Sequence, residues 1–213
     1  MVHISDGVLS LPVWAAGWAI TGVLIAVAIW WSKRKGTSAE EIPKLSVVTA
    51  AFFVASLIRI PMGPTSVHLI LSGLVGVILG ILAYPAIFIG LVLQFFLFQH
   101  GGITTIGINT VVMGVPALIA YGIFKAGSRL SHSRKGVSEG IFGAIAGGFA
   151  VALAVLFLVI CLLTTRKEFS GVASLVAVAH IPIIIIESAV VGSVVAFLMK
   201  VKPELLQIGG ERK

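Results

Sequence analysis

Residues 11–35 read LPVWAAGWAITGVLIAVAIWWSKRK, and this stretch decides the fold class. From Leu11 to Trp31 it carries no charge, and at about 1.5 Å of rise per residue roughly 20 apolar residues cross a hydrocarbon core of about 30 Å. The run stops at Ser32-Lys33-Arg34-Lys35, the pattern of a stop-transfer boundary. A cleaved secretory signal is the competing reading. Residues 1–10 hold no Lys or Arg, so the basic leader of a signal peptide is missing and the segment is expected to remain in the mature chain. Similar runs recur up to Val201. Over the 213 residues, 58% are hydrophobic and 11% charged, where soluble domains carry about 25% charged residues. This excludes a water-soluble globule and predicts a polytopic helical membrane protein. Cys161 is the single cysteine, which excludes an intrachain disulfide and a Cys-based zinc site.

Apolar runs set against charge clusters and Pro or Gly breaks predict an all-α bundle of seven transmembrane helices. These lie near Leu11–Trp31, Pro43–Ile60, His68–Ala83, Pro85–Gln99, Ile106–Phe124, Glu139–Thr165 and Val172–Lys200, the third and fourth meeting at Tyr84-Pro85. Strict alternation then puts the connections 32–44 and 125–138 and the C-terminal tail on one side. Twelve of the fifteen basic residues fall there, leaving only Arg59, Arg166 and Lys167 opposite. The positive-inside rule makes that side cytoplasmic, with the N-terminus outside. The net charge of +7 is therefore topological, and no nucleic-acid partner is expected. The whole chain, 1–213, reads as one integral membrane domain: an extracytoplasmic N-terminal segment 1–9 that binds metal, a bundle 10–202, and a cytoplasmic tail 203–213. Small residues at Ala15, Ala19, Gly22 and Ala26, at Ala51 and Ala55, and at Gly73, Gly76 and Gly80 offer close-approach faces, for packing within the bundle or for docking another membrane subunit.

His3, His68 and His100 fall at the outer face, His180 about 12 Å deep in the seventh helix, and His132 in a cytoplasmic loop. Histidine near a free N-terminus is a special ligand, because the terminal amine, the intervening amide nitrogens and the imidazole chelate one ion together. With Met1 retained, Met1-Val2-His3 supplies an amine, two amides and an imidazole, a complete plane. With Met1 removed, the amine of Val2 and the amide and imidazole of His3 fill three corners and leave one for another imidazole. Such nitrogen planes suit Cu(II) and Ni(II), whereas zinc prefers tetrahedral sites.

The start His3-Ile4-Ser5-Asp6-Gly7-Val8-Leu9-Ser10 joins three further motifs: Thr65-Ser66-Val67-His68-Leu69, the run from Gln94 through His100-Gly101-Gly102 to Asn109 with Met113-Gly114, and His180-Ile181-Pro182 with Glu187. Together, from His3 to about Val201, they resemble the CbiM/NikM family, the substrate-binding membrane components of energy-coupling-factor (ECF) type nickel and cobalt importers. The resemblance implies that the N-terminal segment folds back into the bundle and holds Ni(II) or Co(II) as transported substrate. The implied ligands are the N-terminal amine, the amide and imidazole of His3, and the imidazole of His68. The family typically begins Met-His, whereas this chain begins Met1-Val2-His3. Removal of Met1, with Val2 supplying the amine, restores the family spacing and is the preferred reading; retention of Met1 adds an amide instead. The resemblance also implies a transmembrane coupling subunit, two ATP-binding cassette subunits and, for some systems, a small accessory membrane subunit.

Gln94, Thr104, Thr105 and Asn109 match family positions near the site and are expected to orient the imidazoles and pin the N-terminal segment, with helix capping the alternative for Thr105; His100 is expected to be an outer donor to the site or a plain loop residue, with a direct ligand the alternative. Asp6 is expected either to form an Asx-turn beside Gly7 or to stand in solvent. Glu187, an acid deep in a span, is expected to make an interhelical contact before serving as a proton relay. Met62 and Met113 are expected to pack. No G-x-x-x-x-G-K-[ST] run occurs, so the chain is not expected to be an enzyme, and ATP hydrolysis falls to partners. The rival readings are a copper importer or sensor built on the N-terminal chelate and, remotely, an intramembrane hydrolase using Ser72 and His180. A retinal Schiff base is excluded, since the seventh helix has no lysine before Lys200.

Overall fold

The computed structural model describes residues 3–34, 36, 41–62, 65–130, 136–165 and 167–206, with the backbone alone at 59–62, 65–67 and 167. Met1, Val2, His132 and the end of the tail lie outside the described residues. The helices are α1 (Leu11–Arg34), α2 (Glu41–Ala55), α3 (Ser72–Leu79), α4 (Ala83–Phe98), α5 (Ile106–Leu130), α6 (Val137–Thr165), α7 (Ser170–Ala179) and α8 (Ile181–Val201). Five helical segments are long and apolar enough to cross a membrane: Leu11–Arg34, Ser72–Phe98, Ile106–Leu130, Val137–Thr165 and Ser170–Val201. The expectation of a helical membrane bundle holds.

Three boundaries differ from the sequence reading. First, α2 ends at Ala55, short of Ile60, and two short strands, β1 (Arg59–Met62) and β2 (Thr65–His68), pair antiparallel, with Arg59 opposite His68. The helix predicted from His68 therefore begins at Ser72, and His68 ends a strand. Second, the chain between α3 and α4 breaks at Gly80, with φ 60° and ψ −127°, a conformation essentially reserved for glycine. Pro85 sits in the first turn of α4, where a missing N–H leaves no intrahelical bond unmade, so Tyr84-Pro85 separates nothing. Third, the predicted helix Val172–Lys200 is divided at His180. Pro182 cannot donate to the carbonyl four residues back and crowds it, so the helix is interrupted there.

Ser72–Phe98 is not one straight span. His68 stands before α3 and His100 after α4, yet both rings lie against His3, at 4.9 and 6.1 Å between centroids. The α3–α4 pair therefore enters the bundle, turns at Gly80 and returns to the same end.

Without a hydrophobic force between helices in lipid, small residues set the approach of backbones. A Cβ on Gly73 would lie 2.7 Å from the Gly147 Cα, one on Gly76 2.1 Å from the Ala117 carbonyl oxygen, and one on Gly107 2.7 Å from the Trp18 Cα. Gly73 and Gly76 thus pack inside the bundle. In α1 the buried positions are Gly17, Thr21 and Ala28, while of the predicted small-residue row Ala15 is half-buried and Ala19, Gly22 and Ala26 are exposed. The contact of α1 with α5 is closed by the Thr21 hydroxyl, which donates to the Gly107 carbonyl at 2.8 Å and meets the Tyr84 hydroxyl at 3.0 Å. That crossing brings the segment preceding α1 over the first turn of α5.

Candidate metal centre

Residues 3–10 form a strap across one end of the bundle, held by bonds that span about a hundred residues of sequence. The buried Asn109 side chain grips the backbone of Ile4 twice: its Oδ1 accepts from the Ile4 N–H at 2.9 Å and its Nδ2 donates to the Ile4 carbonyl at 3.0 Å. The Thr105 hydroxyl donates to the same carbonyl at 2.6 Å. Further along, the Asp6 carboxylate accepts from the Ile103 N–H at 3.0 Å, the Thr104 N–H at 2.9 Å and the Thr104 hydroxyl. Asp6 therefore makes long-range bonds where a local Asx-turn or a solvated acid was expected. Burial acts to raise its pKa, but the bonds from Thr104 and Ile103 outweigh this and hold it below the ordinary aspartate value.

The opposing loop is shaped to receive the strap. Gln99 ends α4 in the left-handed region at φ 54°, and Gly101 follows at φ 83°. A Cβ on Gly102 would lie 2.2 Å from the Asp6 carboxyl carbon, so only glycine admits the strap there. The Trp18 indole N–H donates to the Thr104 carbonyl at 2.9 Å, tying the loop to α1.

Under the strap the imidazoles meet. His3 and His68, 6% and 4% exposed, stack with their planes 24° apart. His100 lies beyond, stacked on His3 and tilted against Phe98 at 5.9 Å. Nδ1 of His68 is 2.9 Å from the Leu69 carbonyl oxygen, which can only accept. The proton is therefore on Nδ1 and the lone pair on Nε2, and that Nε2 is buried with no hydrogen-bond partner among the described residues. Burial pushes the His68 imidazole down to about 4, with the neighbouring His100 and His180 imidazoles adding to the effect against the Leu69 bond. Burial also holds His3 well below the usual imidazole value, reinforced by His68 and His100. Both rings are consequently neutral near pH 7, the form that offers a lone pair. Among the described residues the Nε2 of His3 and both amide atoms of Gln94 are likewise buried without a partner. Among the described residues no group of three or more His, Cys, Asp or Glu side chains is arranged to hold a metal. The cluster is a neutral imidazole pair under a backbone strap.

His3, His68, His100, Asn109, Thr105, Thr104 and Asp6 are thus brought to one end of the bundle. Met113 is buried in the core. Two residues outside the expected set also belong to this region. His180 is fully buried, with Nδ1 2.7 Å from the Val176 carbonyl oxygen and Nε2 unpartnered, the same protonation pattern as His68. Its sequence signal was Pro182, two residues on, which divides the helix at His180. Glu187, fully buried in α8, accepts from the backbone N–H groups of Ile70 and Leu71. Its partner is a loop beside His68, not another helix. Ser72 Oγ and His180 Nε2 each lack a partner, so no hydroxyl–imidazole bond supports the hydrolase reading.

A multi-pass helical bundle that encloses a polar cluster beneath a tied-down strap has the architecture of a membrane carrier that closes over a small solute. The comparisons with known proteins make the class specific. The chain belongs to the CbiM family, described as the cobalt uptake substrate-specific transmembrane region, which it matches over residues 3–205. It is 35% identical over 210 residues to a Haemophilus influenzae protein named as a metal transport protein, covering 96% of this chain and 97% of that one. It is 25% identical to an Archaeoglobus fulgidus protein named as a fused nickel transport protein, NikMN, covering 97% of this chain and 68% of the relative. The crystal structure of a truncated transition metal transporter superposes with a TM-score of 0.72 at 26% identity, over 93% of this chain and 98% of that one. The protein is therefore a multi-pass membrane component of transition-metal uptake, a transporter subunit and not an enzyme.

Proposed function

We propose that this chain is the substrate-capture subunit of an ECF-type importer and that its cargo is Ni(II), with Co(II) the alternative, bound in a plane of nitrogens beneath the strap. The donors are the N-terminal amine, supplied by Val2 after removal of Met1 or by Met1 itself, the amide and imidazole of His3, and the imidazole of His68. A chelate ring that closes on the amide of its own residue uses Nδ1 of His3, and His68 contributes Nε2, whose lone pair is exposed by the Nδ1–H bond to Leu69. The observation that carries the reading is the buried His3–His68 stack with His68 Nε2 unpartnered, since a buried lone pair without a donor invites a ligand. Backbone nitrogens beside the two imidazoles suit a tetragonal ion over zinc. The family description supports cobalt, and the name of the fused Archaeoglobus relative supports nickel.

The strap end faces outside and the C-terminus the cytoplasm, a reading supported by the twelve basic residues clustered in the opposite connections and tail. Seven helical passes, counting α3 and α4 as the in-and-back pair, give this parity. Release into the cell then needs a transmembrane coupling subunit and two ATP-binding cassette subunits, with a small accessory membrane subunit as a further partner. The fused relative, longer than this chain, supports association with another component.

The test is Ni(II), Co(II) and Cu(II) titration of the purified full chain, with the N-terminal residue determined by mass spectrometry in the same sample. One Ni(II) per chain, bound far more weakly in both His3→Ala and His68→Ala, is the expected result. Metal held on a Met1 terminus with wild-type affinity in His68→Ala contradicts the proposed plane and favours a copper-binding tripeptide.

A further inference from the structure

Glu187 is separated from His68 by the five helices α3 to α7, yet its carboxyl group reaches the peptide next to it. One oxygen accepts from the Ile70 N–H, and both accept from the Leu71 N–H at 2.9 Å. The Ile70 N–H belongs to the same planar peptide unit as the Leu69 carbonyl, and that carbonyl receives the His68 Nδ1–H at 2.9 Å. The chain of contacts therefore runs from the Glu187 carboxyl through one rigid plane to the imidazole. Rotating that plane would swing the carbonyl off the ring and release the His68 tautomer and orientation. The next residue, Leu71, is in the left-handed region at φ 50°, which costs a non-glycine residue energy. The same carboxyl holds its N–H. Glu187 itself is fixed in α8, whose close contact with α6 leaves no room for a Cβ at Gly147, 2.7 Å from the Val191 Cβ.

We propose that Glu187 is a positioning residue for metal capture, orienting His68 through the Leu69–Ile70 peptide and so coupling the site to α8. The inference rests on the reading of His68 as a ligand. It extends to a peptide plane the familiar arrangement in which a carboxylate orients a ligating histidine, where loss of the outer group typically lowers metal affinity about 10- to 100-fold.

The experiment is a double-mutant cycle on the purified full chain, with Ni(II) affinity and the Ni(II) absorption spectrum measured for wild type, Glu187→Ala, His68→Ala and the double variant. Glu187→Ala is expected to weaken binding roughly 10- to 100-fold and shift the Ni(II) bands, but to add less than about threefold in the His68→Ala background. Glu187→Gln, which keeps an acceptor oxygen, is expected to recover most of the affinity, and it also serves if the alanine variant does not fold. Equal losses in both backgrounds, or wild-type affinity and spectrum in Glu187→Ala, overturn the proposal. Should wild type bind no Ni(II), or His68→Ala bind normally, the reading of the site fails first and the inference falls with it.

Discussion

Asn109→Ala tests whether the strap delivers His3 to His68. The Asn109 side chain is 2% exposed and makes both bonds to the Ile4 peptide groups. Truncation leaves the buried Ile4 N–H without its acceptor, at a cost of about 1–3 kcal/mol. The Ile4 carbonyl keeps the Thr105 hydroxyl at 2.6 Å, so losing the second bond adds only about 1 kcal/mol. The sum, about 2–4 kcal/mol, corresponds to a roughly 30- to 1,000-fold fall in the docked-to-undocked ratio of the strap at about 1.4 kcal/mol per decade. Apparent Kd scales inversely with the docked fraction, so Ni(II) binding weakens by up to that factor. Competition titration against a chelator measures Kd, and hydrogen exchange at Ile4 reports docking independently. Asn109→Asp sharpens the test, because it keeps an acceptor for the Ile4 N–H but sets a second oxygen against the Ile4 carbonyl; it is expected to fall between wild type and alanine. A Kd within about twofold of wild type, with Ile4 protection unchanged in Asn109→Ala, would refute the reasoning.

Three further outcomes are expected. Because burial pushes His68 down to about 4 and holds His3 well below the usual imidazole value, both imidazoles are already neutral near pH 7, and the pH dependence of Ni(II) affinity there comes from the amide and amine protons. The log of the affinity then falls by about two per pH unit below the amine pKa of about 7.7 and by about one above it; potentiometric titration checks this, and a flat profile contradicts it. For the metal-free chain the sign is also fixed: a folded His68 value below the unfolded 6.5 means the unfolded state takes up the proton first, so stability drops as pH falls from 6.5 toward 4, which melting curves measure. Gly102→Ala sets a Cβ 2.2 Å from the Asp6 carboxyl carbon and is expected to free the strap, seen as faster proteolysis within residues 3–9 and weaker Ni(II) binding. Gln94→Leu removes two buried amide atoms that have no partner, so it is expected to raise the melting temperature of the metal-free chain while lowering Ni(II) affinity.

Hydrophobic run length and charge placement are one-dimensional signals, and they made the membrane bundle legible, along with the nearness of His3, His68 and His100. The chain's local turns were less legible. The hairpin hides because Ser56-Leu57-Ile58 carries the apolar stretch of α2 past Ala55, so the first break legible in the sequence is Arg59-Ile60-Pro61, beyond the true end of the helix. Gly80 and Pro85 compete to be the break between α3 and α4, and only backbone conformation decides: a first-turn proline fits a helix, whereas φ 60° with ψ −127° does not. Side-chain partners distant in sequence were beyond reach as well. Asp6 beside Gly7 has the pattern of a local turn, and nothing in the sequence reveals that its oxygens bond residues 103 and 104. Glu187 announces itself as an anomalous buried acid, but its partners are two backbone N–H groups, which have no sequence signature.

The central claim is a planar nitrogen site with two imidazoles, one carried by the strap and one by the hairpin. X-ray absorption at the nickel edge of the Ni(II)-loaded full chain, compared with the His68→Ala variant, tests it most directly. Four nitrogen neighbours in a plane, with scattering from two imidazole rings that falls to one in the variant, is the predicted result. A six-coordinate, oxygen-rich nickel, or a spectrum that His68→Ala leaves unchanged, would contradict it.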